Sequence, residues 1–198
     1  LDINNSIPQS FSTVRPGDIK YKDQNGDNVI DSKDVVKMFG STFPRFYFGF
    51  SLELGYEGFE ILADFQGICG LTLNLLDSPL YKPLTDNGNL SATYLANETP
   101  WTYENRNNAT MPRLTTVANP NNYRESSLWY RDGSFLKLRN LVVSYTFPKS
   151  MVKIADIMIY LQGSNLFSLD NIRFADPELL SASYPSMRTF TAGLKFNF

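Results

Sequence analysis

The acidic and amide side chains between Asp23 and Asp34 are the residues of this chain best suited to bind a metal ion. Oxygen donors stand at positions 1, 3, 5, 9 and 12 of a twelve-residue loop, and a backbone carbonyl is available at position 7; the residues, in order, are Asp23, Asn25, Asp27, Val29 (the carbonyl), Asp31 and Asp34. This is the spacing of calcium-binding loops. Four carboxylates so close together repel one another unless a cation neutralises them. The spacing predicts a structural divalent-cation site, with Ca²⁺ favoured over Mg²⁺; the alternative is an Asx-rich turn in solvent.

Two details of this loop affect the prediction. Asn28 stands at position 6, where Gly is usual, and Asn tolerates the left-handed backbone that this position needs. Asp34 at position 12 has a shorter side chain than the usual Glu, so we expect modest affinity.

Composition excludes several other kinds of chemistry. The chain has no His and a single Cys, so a His-based triad, a Cys-based zinc cluster and an internal disulfide all lack their usual participants. The 18 basic and 20 acidic residues give a formal charge of -2, whereas nucleic-acid binding normally requires a basic face. We therefore expect no catalytic residues, no enzyme activity and no nucleic-acid partner.

Alternation of apolar and polar residues with a period of two is the strongest structural signal. It predicts a hairpin within residues 44–70, turning at Gly55–Gly58, and three further strands within residues 134–198. In the third strand, Leu136 and Leu138 have the opposite parity to the apolar residues that follow. A bulge near Asn140 would restore a single apolar face.

Connections between the predicted strands alternate between short and long. Residues 1–43, 71–133 and 168–187 are long polar segments, whereas Gly55–Gly58 and Lys149–Asp156 are short. Up-and-down strands with short turns at one end and long loops at the other are typical of a transmembrane β-barrel. Five strands cannot close a barrel. The prediction is an all-β fold: an antiparallel transmembrane β-barrel segment of a longer chain, with long extracellular loops, the first of which carries the cation site.

A soluble antiparallel sandwich with its apolar face inward is the alternative fold. A long loop with little regular pattern is uncommon in such a domain, and aromatic residues near predicted strand ends suit a membrane interface. Trp101, Tyr103, Trp129 and Tyr130 in the long loop are candidates for stacking on sugar rings, with packing inside an ordered loop the preferred interpretation.

Short motifs spread over most of the chain resemble those of one protein family. They are Pro16–Tyr21 followed by the acidic loop, Gly58–Gly67, Trp101–Asn105 with Pro112–Leu114, Asp132–Asn140, Gly163–Phe167 and the final Phe198. In sequence and order they resemble SusC/RagA-type TonB-dependent transporters, outer-membrane nutrient importers of Bacteroidetes. Departures from the family pattern are Asn28 in place of Gly, and Tyr103 and Arg106 in place of Pro.

The resemblance implies the C-terminal part of a barrel of about 22 strands in the outer membrane. It further implies import of a glycan or peptide, a SusD-like surface lipoprotein as partner, and energy from TonB acting through an N-terminal part that is absent here. Phe198 matches an aromatic C-terminus that implies a signal for the barrel assembly machinery. The alternative function is that of a soluble, β-rich calcium-binding adhesin or carbohydrate-binding domain.

Overall fold

The structure, a computed structural model, describes residues 7–37, 40–78, 81–84, 88–148, 155–172, 176–179 and 186–197. The chain divides into two compact units. The sheet unit contains residues 40–73, 132–178 and 184–198, and the loop unit contains residues 1–39, 74–131 and 179–183. No helix among the described residues is both long enough and apolar enough to cross a membrane.

The sheet unit is built on five antiparallel strands. They are β1 (Phe46–Tyr56), β2 (Phe59–Cys69), β5 (Phe135–Phe147), β6 (Asp156–Asp170) and β7 (Thr189–Asn197). Their order in the sheet is β1-β2-β5-β6-β7, so each strand pairs with its neighbours along this series. Two short strands, β3 (Thr72–Asn74) and β4 (Tyr130–Asp132), form a separate two-stranded sheet.

Strand register gives the five-stranded sheet one continuous apolar face. Phe50 pairs with Phe65 and Leu54 with Ile61 across the first two strands, and equivalent apolar pairs continue to Leu194 in β7. The register shifts beside Arg139 against both neighbouring strands, which is the bulge predicted near Asn140. Because a one-residue shift moves side chains to the opposite face, this bulge returns Leu138 and Leu136 to the apolar face. Many side chains of this face are exposed to solvent.

The opposite face of the sheet carries a ladder of hydrogen bonds across four strands. The Ser51 hydroxyl donates to one oxygen of Asp64 at 2.6 Å, and the Asn140 amide donates to the other at 3.4 Å. The Gln162 amide donates to the Asn140 oxygen at 2.9 Å. Polar side chains on this face therefore satisfy one another, in contrast to the apolar face behind them.

The β1–β2 hairpin closes through the two-residue turn Glu57–Gly58. Both residues have positive φ, 46° and 88°, which is the backbone of a type I′ turn. Aromatic side chains gather at this end of the sheet: Tyr56 pairs with Phe59, which pairs with Tyr145 at a ring-centroid distance of 4.4 Å. The short turn and the aromatics near strand ends match the sequence prediction.

The loop unit has its own core, in line with the preferred interpretation that loop aromatics such as Trp129 pack inside an ordered loop. It contains α1 (Ala92–Asn97) and 3-10 turns at Ser32–Asp34 and Leu75–Asp77. Its fully buried side chains include Trp129, Tyr94 and Leu75. Trp129 is 1% exposed and stacks on Tyr123 at 5.9 Å between ring centroids, so packing, not sugar binding, is its role.

The buried carboxylate of Asp18 links two distant parts of the loop unit. Arg113 forms an ion pair with it at 2.7 Å, and the amides of Asn119 and Asn122 donate to the same oxygen at 3.1 and 2.9 Å. The Asn122 oxygen in turn accepts the Ile19 N–H at 2.9 Å. The segment around Pro16–Tyr21 is therefore held by side chains more than 90 residues further along the chain.

Glycine in the sheet is required where strands pack closely. A Cβ at Gly67 would overlap the Phe48 ring and lie 2.7 Å from the Phe135 carbonyl oxygen, whereas a Cβ at Gly55 would meet nothing nearer than 3.8 Å. We expect Gly67→Ala to lower the free energy of unfolding by about 1–3 kcal/mol. Gly55→Ala in the same hairpin should be neutral. Urea unfolding in detergent measures both; equal midpoints for the two variants would contradict the close packing.

Removing the amide of Asn122 tests the buried network of the loop unit. In Asn122→Ala the Ile19 N–H loses its acceptor and Asp18 loses a donor, so we expect a loss of at least about 2 kcal/mol. The control is the exposed Asn107→Ala, which should stay within about 0.5 kcal/mol. Tryptophan fluorescence reports the change, because the Trp129 indole N–H donates to the Asn122 carbonyl oxygen at 2.8 Å.

Candidate cation loop and charged clusters

The acidic loop between Asp23 and Asp34 is anchored at Ile30. Ile30 is buried, its N–H donates to the Pro8 carbonyl at 2.9 Å, and its own carbonyl accepts the Ser10 N–H at 3.0 Å. Within the loop, Asn28 has a φ of 63°. The left-handed backbone expected at position 6 is therefore confirmed.

The carboxylates in the first half of the loop accept backbone N–H groups. Asp23 accepts the N–H of Gly26 at 2.6 Å through one oxygen and that of Asn28 at 2.8 Å through the other. Asp27 accepts the Val29 N–H at 3.0 Å. These are the bonds of Asx-type turns, and they fold the loop back on itself.

Asp34 closes the loop from its far end. One of its oxygens accepts the Gln24 N–H at 2.7 Å and the other accepts the Asp31 N–H at 2.9 Å. Asp31 caps the short 3-10 turn by accepting the Lys33 N–H at 2.7 Å. The first and last predicted ligands, Asp23 and Asp34, thus lie on one compact turn.

Hydrogen bonds also lower the pKa of two of these carboxyl groups. The Asn25 amide lowers the pKa of Asp27, and the Asp31 N–H lowers that of Asp34. A carboxyl with a lowered folded-state pKa stabilises the fold above its ordinary pKa, and this contribution is lost as pH falls through the lowered value. Both groups therefore stay ionised into mildly acidic solution.

The carboxylates of the loop do not by themselves form a cluster of metal ligands. Within the described ranges, no three acidic, His or Cys side chains are grouped closely enough to hold a metal ion. A carboxylate oxygen that accepts one N–H keeps a second lone pair, so the donor types of the loop still suit Ca²⁺. The ligand set Asp23, Asn25, Asp27, Val29, Asp31 and Asp34 stays a prediction.

A charged cluster on the polar side of the sheet unit was missed by the sequence analysis. Lys137 is only 4% exposed; its ammonium pairs with Asp176 and, at 2.8 Å, with Glu178, which also pairs with Arg139. Burial raises the pKa of the two carboxyl groups, but hydrogen bonds from Lys137 and from their other donors, together with the nearby positive charge, outweigh it, so each pKa lies below its usual value. Strand alternation places Lys137 on the polar face, but nothing in the sequence indicates its acidic partners.

The remaining predicted residues have separate outcomes. Phe198, the predicted assembly signal, lies outside the described residues. Tyr103 is 71% exposed and Trp101 is partly buried, with their ring centroids 6.0 Å apart at an angle of 71°. Of the four stacking candidates, Trp101, Tyr103 and the partly buried Tyr130 keep aromatic surface near solvent, whereas Trp129 does not.

Curated proteins similar to this chain share one description. The chain is 29% identical over 203 residues to TonB-dependent receptor P26 of Formosa agariphila, a match that covers 92% of this chain and 20% of that receptor. It is 28% identical over 216 residues to TonB-dependent receptor P3 of the same organism, covering 98% of this chain and 20% of the receptor. The chain spans about a fifth of the length of these relatives. No protein-family model matches it.

Solved structures share the fold. A chain of the RagAB peptide importer in the "closed-closed" state superposes with a TM-score of 0.61 at 23% identity, covering 85% of this chain and 19% of that chain. The RagAB peptide transporter gives a TM-score of 0.60 at 23% identity, covering 92% and 20%. The antiparallel sheet predicted from alternation is therefore shared with this transporter fold. Together with the sequence relatives, this fold confirms the resemblance read from the motifs: the chain is similar to a segment of TonB-dependent receptors and shares its fold with a segment of the RagAB transporter.

Proposed function

We propose that this chain is a barrel segment of a TonB-dependent importer that takes a glycan or peptide nutrient across the outer membrane. The single observation that carries the proposal is the exposed apolar face that continues across all five strands of the sheet. An apolar surface of this extent needs a nonaqueous surrounding, and the hydrocarbon interior of a bilayer supplies one. The relatives named as TonB-dependent receptors support the same function.

The polar ladder on the other face supports a barrel interior. Ser51, Asp64, Asn140 and Gln162 satisfy one another across four strands, as expected for side chains that face a wet lumen. In a soluble sandwich the apolar face would instead pack against a second sheet. No second layer covers that face in the described part of the sheet unit.

Further features of the proposal come from the family. The importer would work with a SusD-like surface lipoprotein and with TonB, and its role would be transport without enzyme activity. With the last strand ending on the periplasmic side, residues 1–43, 71–133 and 168–187 are extracellular, and Phe198 serves as the assembly signal. Protease added to intact cells should then cut within residues 71–133. Cleavage confined to residues 149–153 would contradict this topology.

Two neighbouring positions in β7 separate the membrane barrel from the soluble alternative. Ala192 lies on the apolar face and Thr191 on the opposite one, and both are exposed. In a bilayer, Ala192→Lys should cost about 2–4 kcal/mol and reduce the amount of folded protein in the outer membrane. Thr191→Lys should be tolerated.

The measurement is the level of full-length protein in outer-membrane fractions of cells that express each variant. An adhesin or carbohydrate-binding domain in water would tolerate Lys at both positions. Equal levels for the two variants, or wild-type protein that stays monomeric in water without detergent, would overturn the importer proposal.

We also propose a structural Ca²⁺ site in the acidic loop. Support comes from the donor spacing, the left-handed backbone at Asn28 and the closure of the loop by Asp34. Calcium titration calorimetry should show binding that is lost in the double variant Asp23→Asn/Asp27→Asn and retained in Glu104→Gln, an exposed acid of the same unit. Absence of binding at millimolar Ca²⁺ would leave the loop as a hydrogen-bonded turn.

A further inference from the structure

The loop unit contains an open cavity with an uneven charge distribution. Its volume is about 570 Å³, within the range of small-molecule sites. Three cationic side chains line it, Lys20, Arg106 and Arg131, together with the Trp101 ring. The only acidic residue among its lining residues is Asp18.

The charges of this cavity do not cancel. Asp18 is already neutralised by its 2.7 Å ion pair with Arg113 and by two amide donors. Among the ion pairs of the described residues, none involves Lys20, Arg106 or Arg131. Within the part of the chain that the structure describes, the cavity therefore presents three positive charges without a carboxylate partner, and such a surface attracts anionic ligands.

Two of these cations are held in place. Arg131 donates through one guanidinium nitrogen to the carbonyls of Leu128 and Tyr130, which fixes its position and leaves its other N–H groups available. The Arg106 guanidinium lies 5.7 Å from the centroid of the Tyr103 ring, which meets Trp101 edge to face. An anionic group entering the cavity would find aromatic surface beside oriented donors.

The backbone around the cavity favours a sugar over an extended peptide. One common mode of peptide binding adds a strand through free main-chain groups. Here the Trp101 N–H already donates to the Met111 carbonyl, and the Arg113 N–H to the Gly17 carbonyl. These two main-chain groups are therefore not free for an added strand, whereas an aromatic ring beside cationic donors suits the apolar face and the carboxylate of a uronic acid.

We propose that this cavity binds an acidic saccharide unit, which makes an anionic glycan the substrate class of the importer. The assignment of an imported substrate rests on the proposed function, whereas the binding itself depends only on residues of the loop unit. The cationic side chains of the cavity would bind the carboxylate of the saccharide, and the Trp101 ring would stack on its apolar face.

Binding of tri-galacturonate to the detergent-purified full-length receptor, followed by tryptophan fluorescence, tests the proposal. Wild type should bind tri-galacturonate and not the neutral maltotriose. Its affinity for tri-galacturonate should decrease when the salt concentration is raised from about 50 to about 500 mM, because salt screens the attraction between charges. Lys20→Gln/Arg106→Gln, both exposed positions, should weaken binding about tenfold. Lys22→Gln/Arg45→Gln removes the same charge from exposed positions outside the cavity and should bind as wild type.

Three outcomes would overturn the proposal: equal binding by the two double variants, tighter binding of tri-glutamate than of tri-galacturonate, or no binding of tri-galacturonate at millimolar concentration. Tighter binding of tri-glutamate would favour an acidic peptide instead. Failure of the importer proposal would appear separately, in the membrane levels of the Ala192→Lys and Thr191→Lys variants. Those levels do not depend on the cavity.

Discussion

The register shift beside Arg139 is the constraint on which the sheet depends. Without it, the apolar residues before and after Asn140 would lie on opposite faces of the sheet. Each face would then be apolar in one part and polar in the other, so neither could lie against lipid or water along its whole length. With it, every apolar residue from Phe46 to Phe196 that alternation assigns to one side stays on that side. The polar ladder through Asp64 and Asn140 then forms on the other face, because the same shift brings Asn140 opposite Asp64.

The loop unit is stabilised by hydrogen bonds from buried polar side chains. Its segments are rich in Asn and poor in regular secondary structure, so most backbone groups cannot be satisfied by ladders. Asn121 and Asn122 are fully buried, and their side-chain amides take the place of main-chain partners. The Asn121 amide donates to the Ile19 carbonyl, and the Asn122 amide accepts the Ile19 N–H and donates to Asp18. A buried carboxylate is costly unless it is paired and hydrogen-bonded, and Asp18 has an ion pair and several donors. Through the ion pair of Asp18 with Arg113, this network also brings together the two motif segments Pro16–Tyr21 and Pro112–Leu114.

Sequence reasoning recovered the sheet far better than the loops, for a physical reason. Period-two alternation is a local signal, so β2 at Phe59–Cys69 lies within the hairpin predicted over residues 44–70, and the bulge follows from a change of phase at Leu138. The residues that form the core around Trp129 and Tyr94 show no periodic pattern in the sequence, because side chains of irregular segments are positioned by long-range contacts. Buried aromatics in a polar loop were the available hint. In the acidic loop, spacing predicted the left-handed Asn28, but it could not show that both oxygens of Asp23 accept backbone N–H groups.

The closed base of the long loop affects the order in which the sheet can assemble. β1 and β2 are joined by two residues, so their contacts have very low contact order and can form early. β2 and β5 are neighbours in the sheet but are separated by residues 70–134, and each doubling of a flexible connection costs about 0.6 kcal/mol of closure entropy. The Gly133 N–H donates to the Leu71 carbonyl at 2.8 Å, and the Gly70 N–H to the Ser134 hydroxyl at 3.1 Å. Forming these bonds carries the closure entropy of the long loop once, and the effective connection between β2 and β5 is then only a few residues long.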